Sequence, residues 1–249
     1  MAREGKYIYC ILGANEGRNF GPIGIGQRGD VVTTIGYNDI SAAISNSPLD
    51  QYVINRENLT AHERVIEEIM KDHTVLPVRF CTIADNAEEV RGLLRKRRPE
   101  FRGLLRDLDN KVEMGLKARW TEMKPVFAEI AEKDSIVREM KAQVQAGKKD
   151  DEADKVALGK AVKDALERRK KAEAGKVVGV LRRAAVDYRE NETVGDDMFL
   201  NAVFLVDRTR ERQFDFLVED LTKQYSGQAD FTYVGPAPPF NFVNIVMKL

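Results

Sequence analysis

Residues 201–246 read NAVFLVDRTRERQFDFLVEDLTKQYSGQADFTYVGPAPPFNFVNIV, and the changes of period along this stretch decide the fold class. Residues 202–206 form an apolar run of aromatic and β-branched side chains, the composition of a buried strand. Across 211–225 the period becomes helical, with Phe214, Leu217, Val218 and Leu221 on one face. Ser226-Gly227 breaks the helix, and Phe231, Tyr233 and Val234 begin a second strand. Gly235, Pro236, Pro238 and Pro239 then close that strand in a rigid corner, because proline lacks the N–H that a central strand donates. Strand, helix, strand and corner make an α+β unit without an evident catalytic group, which points to a role as a surface.

Upstream, Val112, Met114, Leu116, Ala118 and Trp120 alternate with Glu113, Gly115, Lys117 and Arg119, the pattern of a strand with one wet face. This strand is expected to open a second domain at 111–249, after an N-terminal α+β domain at 1–110. Between it and residue 201 lies a helical, heavily charged arm at about 121–190. Met123, Val126, Phe127, Ile130, Val137, Met140 and Val144 make one narrow stripe. Val156, Ala157, Ala161, Val162, Ala165 and Leu166 make another, with a turn at 147–151 between them. Narrow stripes flanked by charge predict a long antiparallel helical hairpin or short coiled coil. Its tip, about 145–155, would project to meet a partner or simply lie in solvent. After Gly175 the apolar face widens through Val177, Val178, Leu181 and Tyr188, as in a helix docking on a sheet.

The N-terminal half spells a central strand at 6–12, a glycine-rich turn, strands at 31–35 and 40–45, and an amphipathic helix at 55–70. A strand follows at 75–81, where Pro77 argues for an edge. Arg79 within it is either an ion-paired inward charge or part of a recognition surface beside Phe80. Asp85 with Glu88 has the spacing of a capping box. Arg95-Lys96-Arg97-Arg98 is expected to interrupt the helix that follows, with Pro99 restarting it. Both halves therefore suggest mixed or antiparallel sheets with helices, as ferredoxin-like variants.

Lys plus Arg and Asp plus Glu are 40 each, so no global charge draws the chain to nucleic acid or anionic lipid. The 43% hydrophobic and 32% charged content fits a globular protein and not a disordered one. No apolar run has membrane-spanning length, and no signal-peptide core is visible. Cys10 and Cys81 read as reduced thiols in strands, and the chain reads as cytoplasmic.

The spacing Gly24, Gly26, Gly29 matches a dinucleotide fingerprint, but a strand-like run follows it where a helix is required. A turn between strands is the better reading. His62-Glu63 starts like a zinc-protease helix, yet Ile66 stands where the second His belongs. His62 is better read as a helix-face histidine with a hydrogen-bond partner. With no P-loop, nucleophile elbow or paired-cysteine motif, no catalytic, cofactor-binding or metal-binding residue is assigned.

Several blocks in combination resemble the gas vesicle protein F/L (GvpF/GvpL) family over essentially the whole chain. These are LTAHERVIEEIM (59–70) with VLPVRFCTI (75–83), VEMGLKARW (112–120), GKVVGVLRR (175–183), and NAVFLVDR (201–208) with YVGPAPPFNFV (233–243). Cys81 stands where that pattern has Gly, and Ala237 where a bulky aromatic is common. The resemblance implies a non-enzymatic accessory or minor structural protein of gas vesicles, the gas-filled shells that give cells buoyancy. It implies binding of the major shell protein (GvpA) and other accessory proteins during assembly, and association with gas vesicles in the cytoplasm. The resemblance does not assign a partner-binding face; its motif positions Pro77, Arg79, Phe80, Asn201, Asp207, Arg208, Gly235, Pro236, Pro238 and Pro239 are the candidates, with Pro236, Pro238 and Pro239 read in preference as fixing the corner that ends the sheet. The alternatives are a purely structural shell component, or an enzyme or nucleotide binder using the 24–29 loop.

Overall fold

The computed structural model describes residues 4–14, 17–50, 52–145, 152–243 and 245. The chain divides into two compact units, Met1–Glu113 with Pro236–Leu249, and Met114–Gly235.

In the first unit, β1 (Glu4–Leu12), β2 (Asn19–Gly21), β3 (Val32–Tyr37), β4 (Ile40–Pro48), β5 (Val75–Pro77) and β6 (Ile83–Ala84) form one sheet in the order β2-β3-β4-β1-β5, with β6 also on β1. β1 is central and pairs antiparallel with β4 and β5. That position explains its apolar run: Tyr7 through Leu12 are all fully buried. α1 (Arg56–Met70) starts at Asn55, whose side chain accepts from Asn58 N–H. It packs His62, Val65, Ile66 and Ile69 inward. The strand expected at 75–81 ends at Pro77, which pairs opposite Cys10 at the sheet edge. Cys81 has φ 63° and so cannot continue an extended chain.

α2 (Ala87–Asp107) corrects two expectations. Its N-cap is Asn86, which accepts from Glu89 N–H, while Glu89 returns a bond to Asp85 N–H; the capping pair lies one residue downstream of Asp85 and Glu88. The helix also runs unbroken through Pro99. The buried stripe Val90, Leu94, Phe101, Leu105 keeps its phase across the proline, so packing holds the helix although one backbone bond is lost. The basic cluster is therefore mid-helix. Arg97 pairs with Glu100 and lies 4.9 Å over the Phe101 ring, and Arg98 pairs with Asp39 at 2.7 Å.

In the second unit, β7 (Lys111–Trp120), β8 (Asp187–Glu190), β9 (Met198–Asp207) and β10 (Ala229–Ala237) form a sheet in the order β10-β7-β9-β8. Numbered within the unit, this is 4-1-3-2 with β-α-β-β-α-β connections, the ferredoxin-like arrangement. The first crossover holds α3 (Met123–Lys133), α4 (Ser135–Gln145) and α5 (Glu152–Leu181), and the second holds α6 (Glu211–Gln224).

α5 is the long return limb of the hairpin and lies against α3 and α4 before reaching β9. Asp134 separates α3 from α4 in an extended conformation and accepts from Val137 N–H and Arg168. The hairpin turn expected at 147–151 lies outside the described residues. α5 ends at Leu181 and Tyr188 belongs to β8, not to the helix. The polar sequence DYRE has no strand period of its own; pairing to β9 makes it one. β10 extends through Gly235, Pro236 and Ala237 instead of closing before them. As an edge strand, it tolerates a proline.

Candidate functional site

The blocks 59–70 and 75–83 meet at a buried imidazole. His62 is 3% exposed and lies between Tyr7, Tyr9 and Phe80, with ring centroids 5.7, 5.7 and 5.8 Å away. Its Nε2 is 3.1 Å from the Val78 carbonyl and its Nδ1 is 3.0 Å from the Tyr7 hydroxyl. A carbonyl only accepts, so Nε2 carries the proton and Nδ1 accepts from Tyr7. The Tyr7 oxygen in turn accepts from Cys81 N–H at 2.9 Å. One imidazole and one phenol therefore tie both ends of the turn 78–81 to the sheet core.

Burial holds the His62 pKa down at about 4, against a raising contribution from the Val78 carbonyl, and burial pushes the Tyr7 hydroxyl above its usual range. Both groups are neutral hydrogen-bonding partners at pH 7. The turn they fix presents Arg79, which is exposed, and Phe80, which is half-buried. Thus Arg79 is not an inward charge.

Cys81 completes this turn. Its φ of 63° is a left-handed conformation that glycine adopts freely, and its Sγ accepts from Tyr52 N–H at 3.2 Å. Cys10 and Cys81 are both free thiols. The 24–29 loop joins β2 to β3 with no helix after it. Gly26 has φ 85°, and a Cβ there would meet Tyr52 at 2.8 Å. Turn geometry and tight packing account for that glycine without a phosphate.

The proline corner has its own anchor. Glu113 was expected on the wet face of β7, but it is 6% exposed. Its carboxylate accepts from Asn241 N–H at 2.8 Å and from Asn241 Nδ2 at 2.6 Å. Pro238 and Pro239 are buried next to Asn241 in the chain, and their carbonyls accept in a turn: Phe240 N–H donates to Pro238 O, and Phe242 N–H donates to Pro239 O. Pro236 and Gly235 are exposed.

In the second unit, Asn201 donates to the Glu192 carbonyl at 2.8 Å and binds down the β8–β9 connection. Asp207 caps the short 3-10 turn that follows β9, accepting from the N–H and hydroxyl of Thr209. Arg208 lies 4.0 Å from Glu211. These positions fix turns. Pro77, Arg79 and Phe80 form one local group, Pro236, Pro238 and Pro239 another, while Asn201 lies within β9 and Asp207 and Arg208 at its C-terminal end.

A buried charge cluster was not foreseen. Glu173 on α5 is 5% exposed and bonds Arg169, Lys176 at 3.1 Å and the Tyr225 hydroxyl. Burial raises its pKa, but these bonds outweigh it and leave the carboxyl below its usual range. Lys170, 5% exposed, donates to the Gly195 carbonyl at 2.9 Å. In sequence these residues are lost among like neighbours on a charged helix. Among the described residues, no group of three or more His, Cys, Asp or Glu is placed to hold a metal ion. Among the described residues, no helix is long and apolar enough to cross a membrane.

The fold is α+β in both units, and likeness to known proteins gives its family. Residues 5–244 match the family described as "Gas vesicle synthesis protein GvpL/GvpF", and the chain belongs to that family. It is 30% identical to gas vesicle protein F of a Streptomyces species over 220 residues, covering 88% of this chain and 91% of the relative. It is 28% identical to gas vesicle protein L of the same species, covering 96% and 93%. The crystal structure of GvpF from Anabaena sp. PCC7120 superposes with a TM-score of 0.85 at 23% identity, covering 98% of this chain and all of that one; this likeness shows the fold.

Proposed function

We propose that this protein is a non-catalytic accessory factor that binds the major gas vesicle shell protein and supports its assembly, in contact with other accessory proteins. The observation that supports the reading most directly is the family match across residues 5–244. The built features of the molecule agree with it. His62 and Tyr7 fix an exposed turn, and Glu113 and Asn241 fix a proline corner. Such anchors hold surfaces in shape; a reaction would instead need polar groups converging on a cleft. A β-rich, apolar client needs its open edges covered before it polymerises, and α+β units with fixed turns suit that task.

The test is co-purification from vesicle-forming cells followed by fractionation of intact vesicles. Recovery of the shell protein with this chain, reduced by Arg79→Ala or by substitutions at Asp207 and Arg208, is the expected result. Normal vesicle formation without the chain, and no association with the shell protein, would overturn it. Retention at fixed stoichiometry on washed vesicles would instead mark a structural shell component.

A further inference from the structure

Sheet edges expose unpaired N–H and C=O groups, and proteins blunt them with charge, short strands, proline or bulges. Most edges here are blunted. β2 is three residues long with an irregular register, and the Asn19 side chain occupies Gly21 N–H. β5 is three residues long and ends in Pro77. β8 is four residues long, nearly all charged, and Asp187 Oδ1 accepts from Tyr188 N–H at 2.8 Å. β10 differs: ahead of Pro236 it runs seven residues, ADFTYVG, with one charge, at Asp230.

The direction of its free groups follows from the ladder. Trp120 N–H reaches Asp197 O on the β9 side, and Thr121 N–H reaches Gln228 O on the β10 side. A Cβ on Gly115 would lie 3.8 Å from Val234 O, which continues the same antiparallel register. Alternate residues point to opposite sides. Asp230, Thr232 and Val234 therefore bond toward β7, and Phe231 and Tyr233 direct their backbone N–H and C=O outward. Val234 is 61% exposed beside them.

The flank of this edge is acidic. The Tyr233 hydroxyl donates to Asp215 at 2.6 Å, and burial, Asp215 and the charge of Glu211 together push it above its usual pKa range. α6 carries Glu211, Asp215, Glu219 and Asp220 against Arg212 and Lys223. A second copy of the chain paired edge to edge would bring two such flanks together, which like charge opposes.

We propose that the outer edge of β10 docks an extended, apolar segment of another protein that carries Lys or Arg on its helix-facing side. The segment adds to the sheet as one more strand through Phe231 and Tyr233, its backbone supplying affinity and its cations the match to α6. This deepens the binding reading above and rests on it.

The probes are the acetylated peptides KVTVKVTV and EVTVEVTV, with the full chain. The basic peptide is expected to bind saturably and to slow amide exchange at Phe231 and Tyr233, and the acidic one to bind about tenfold more weakly. Val234→Lys and Thr232→Lys, both at exposed positions, are expected to weaken the basic peptide about tenfold without changing the melting temperature. Equal binding of the two peptides, protection elsewhere, or protection of the same amides by dimerisation without peptide would each overturn the proposal. Shell-protein association unchanged in Val234→Lys would overturn this edge and leave the proposed function standing. Loss of shell-protein association in the unaltered chain would remove the function, while the peptide result would still judge the edge.

Discussion

The Tyr7 hydroxyl donates to His62 Nδ1 across 3.0 Å in a fully buried setting, and the other imidazole nitrogen donates to the Val78 carbonyl. This pair joins the first strand, the first helix and the turn that presents Arg79. Replacing His62 with Phe keeps a ring but leaves the Tyr7 hydroxyl proton without its acceptor and the Val78 carbonyl without its side-chain donor, although Tyr7 still accepts from Cys81 N–H. The expected loss is about 2–4 kcal/mol in urea unfolding. A loss below about 0.5 kcal/mol would mean that the network does not hold the turn.

The same imidazole sets a pH dependence. Its folded pKa, about 4, lies below the ordinary 6.5. Between those values the unfolded chain binds a proton that the folded one refuses, so the contribution is complete above pH 6.5 and falls away as pH drops toward 4. The full span corresponds to about 3 kcal/mol. Unfolding measured at pH 7 and pH 4.5 should show a steeper loss for the unaltered protein than for His62→Gln. Parallel curves would refute it.

At Cys81 the left-handed backbone makes side-chain choice a stability test. Cys81→Gly should be more stable than Cys81→Ala by about 1 kcal/mol, because only glycine takes φ 63° without cost. Cys81→Val should be the least stable of the three, since a branched Cβ crowds this conformation most. Thermal melts of the series give the order directly.

Glu113→Ala should release the proline corner by removing both bonds to Asn241. The expected cost is about 2–4 kcal/mol, with faster amide exchange at Asn241 and Phe242. Glu113→Gln retains one acceptor and should fall between the two. Exchange at Asn241 unchanged in Glu113→Ala would show that Pro238 and Pro239 hold the corner unaided.

On α5, Glu173→Leu should cost about 3–5 kcal/mol, because it strips a buried partner from Arg169 and Tyr225. Arg169→Met combined with Glu173→Leu should recover part of that loss. A double variant as unstable as the sum of the singles would argue against a coupled pair.

The elements legible in the sequence were those with their own period: β9, α6, α1, the alternation of β7, and the two limbs of the hairpin. What escaped depended on distant partners. DYRE becomes β8 only by pairing with β9. Pro99 looked like a helix start because the phase of Phe101 and Leu105 relative to Val90 and Leu94 outweighs one missing bond. Glu113 alternates correctly with its polar neighbours, yet its burial is set by Asn241, 128 positions away. The turn at 78–81 was half legible: a histidine without a catalytic companion suggested a hydrogen-bonding role, but Cys81 read as part of a strand, and only its φ of 63° explains why the family pattern has glycine there.

The small contact between Asp187 and the backbone of Tyr188 has a consequence for anything that joins this sheet. With the β8 border short and charged and the β10 border open ahead of Pro236, a strand taken up at β10 as proposed above would meet no matching border at β8. Under that proposal the sheet would accept one strand without offering a place for the next.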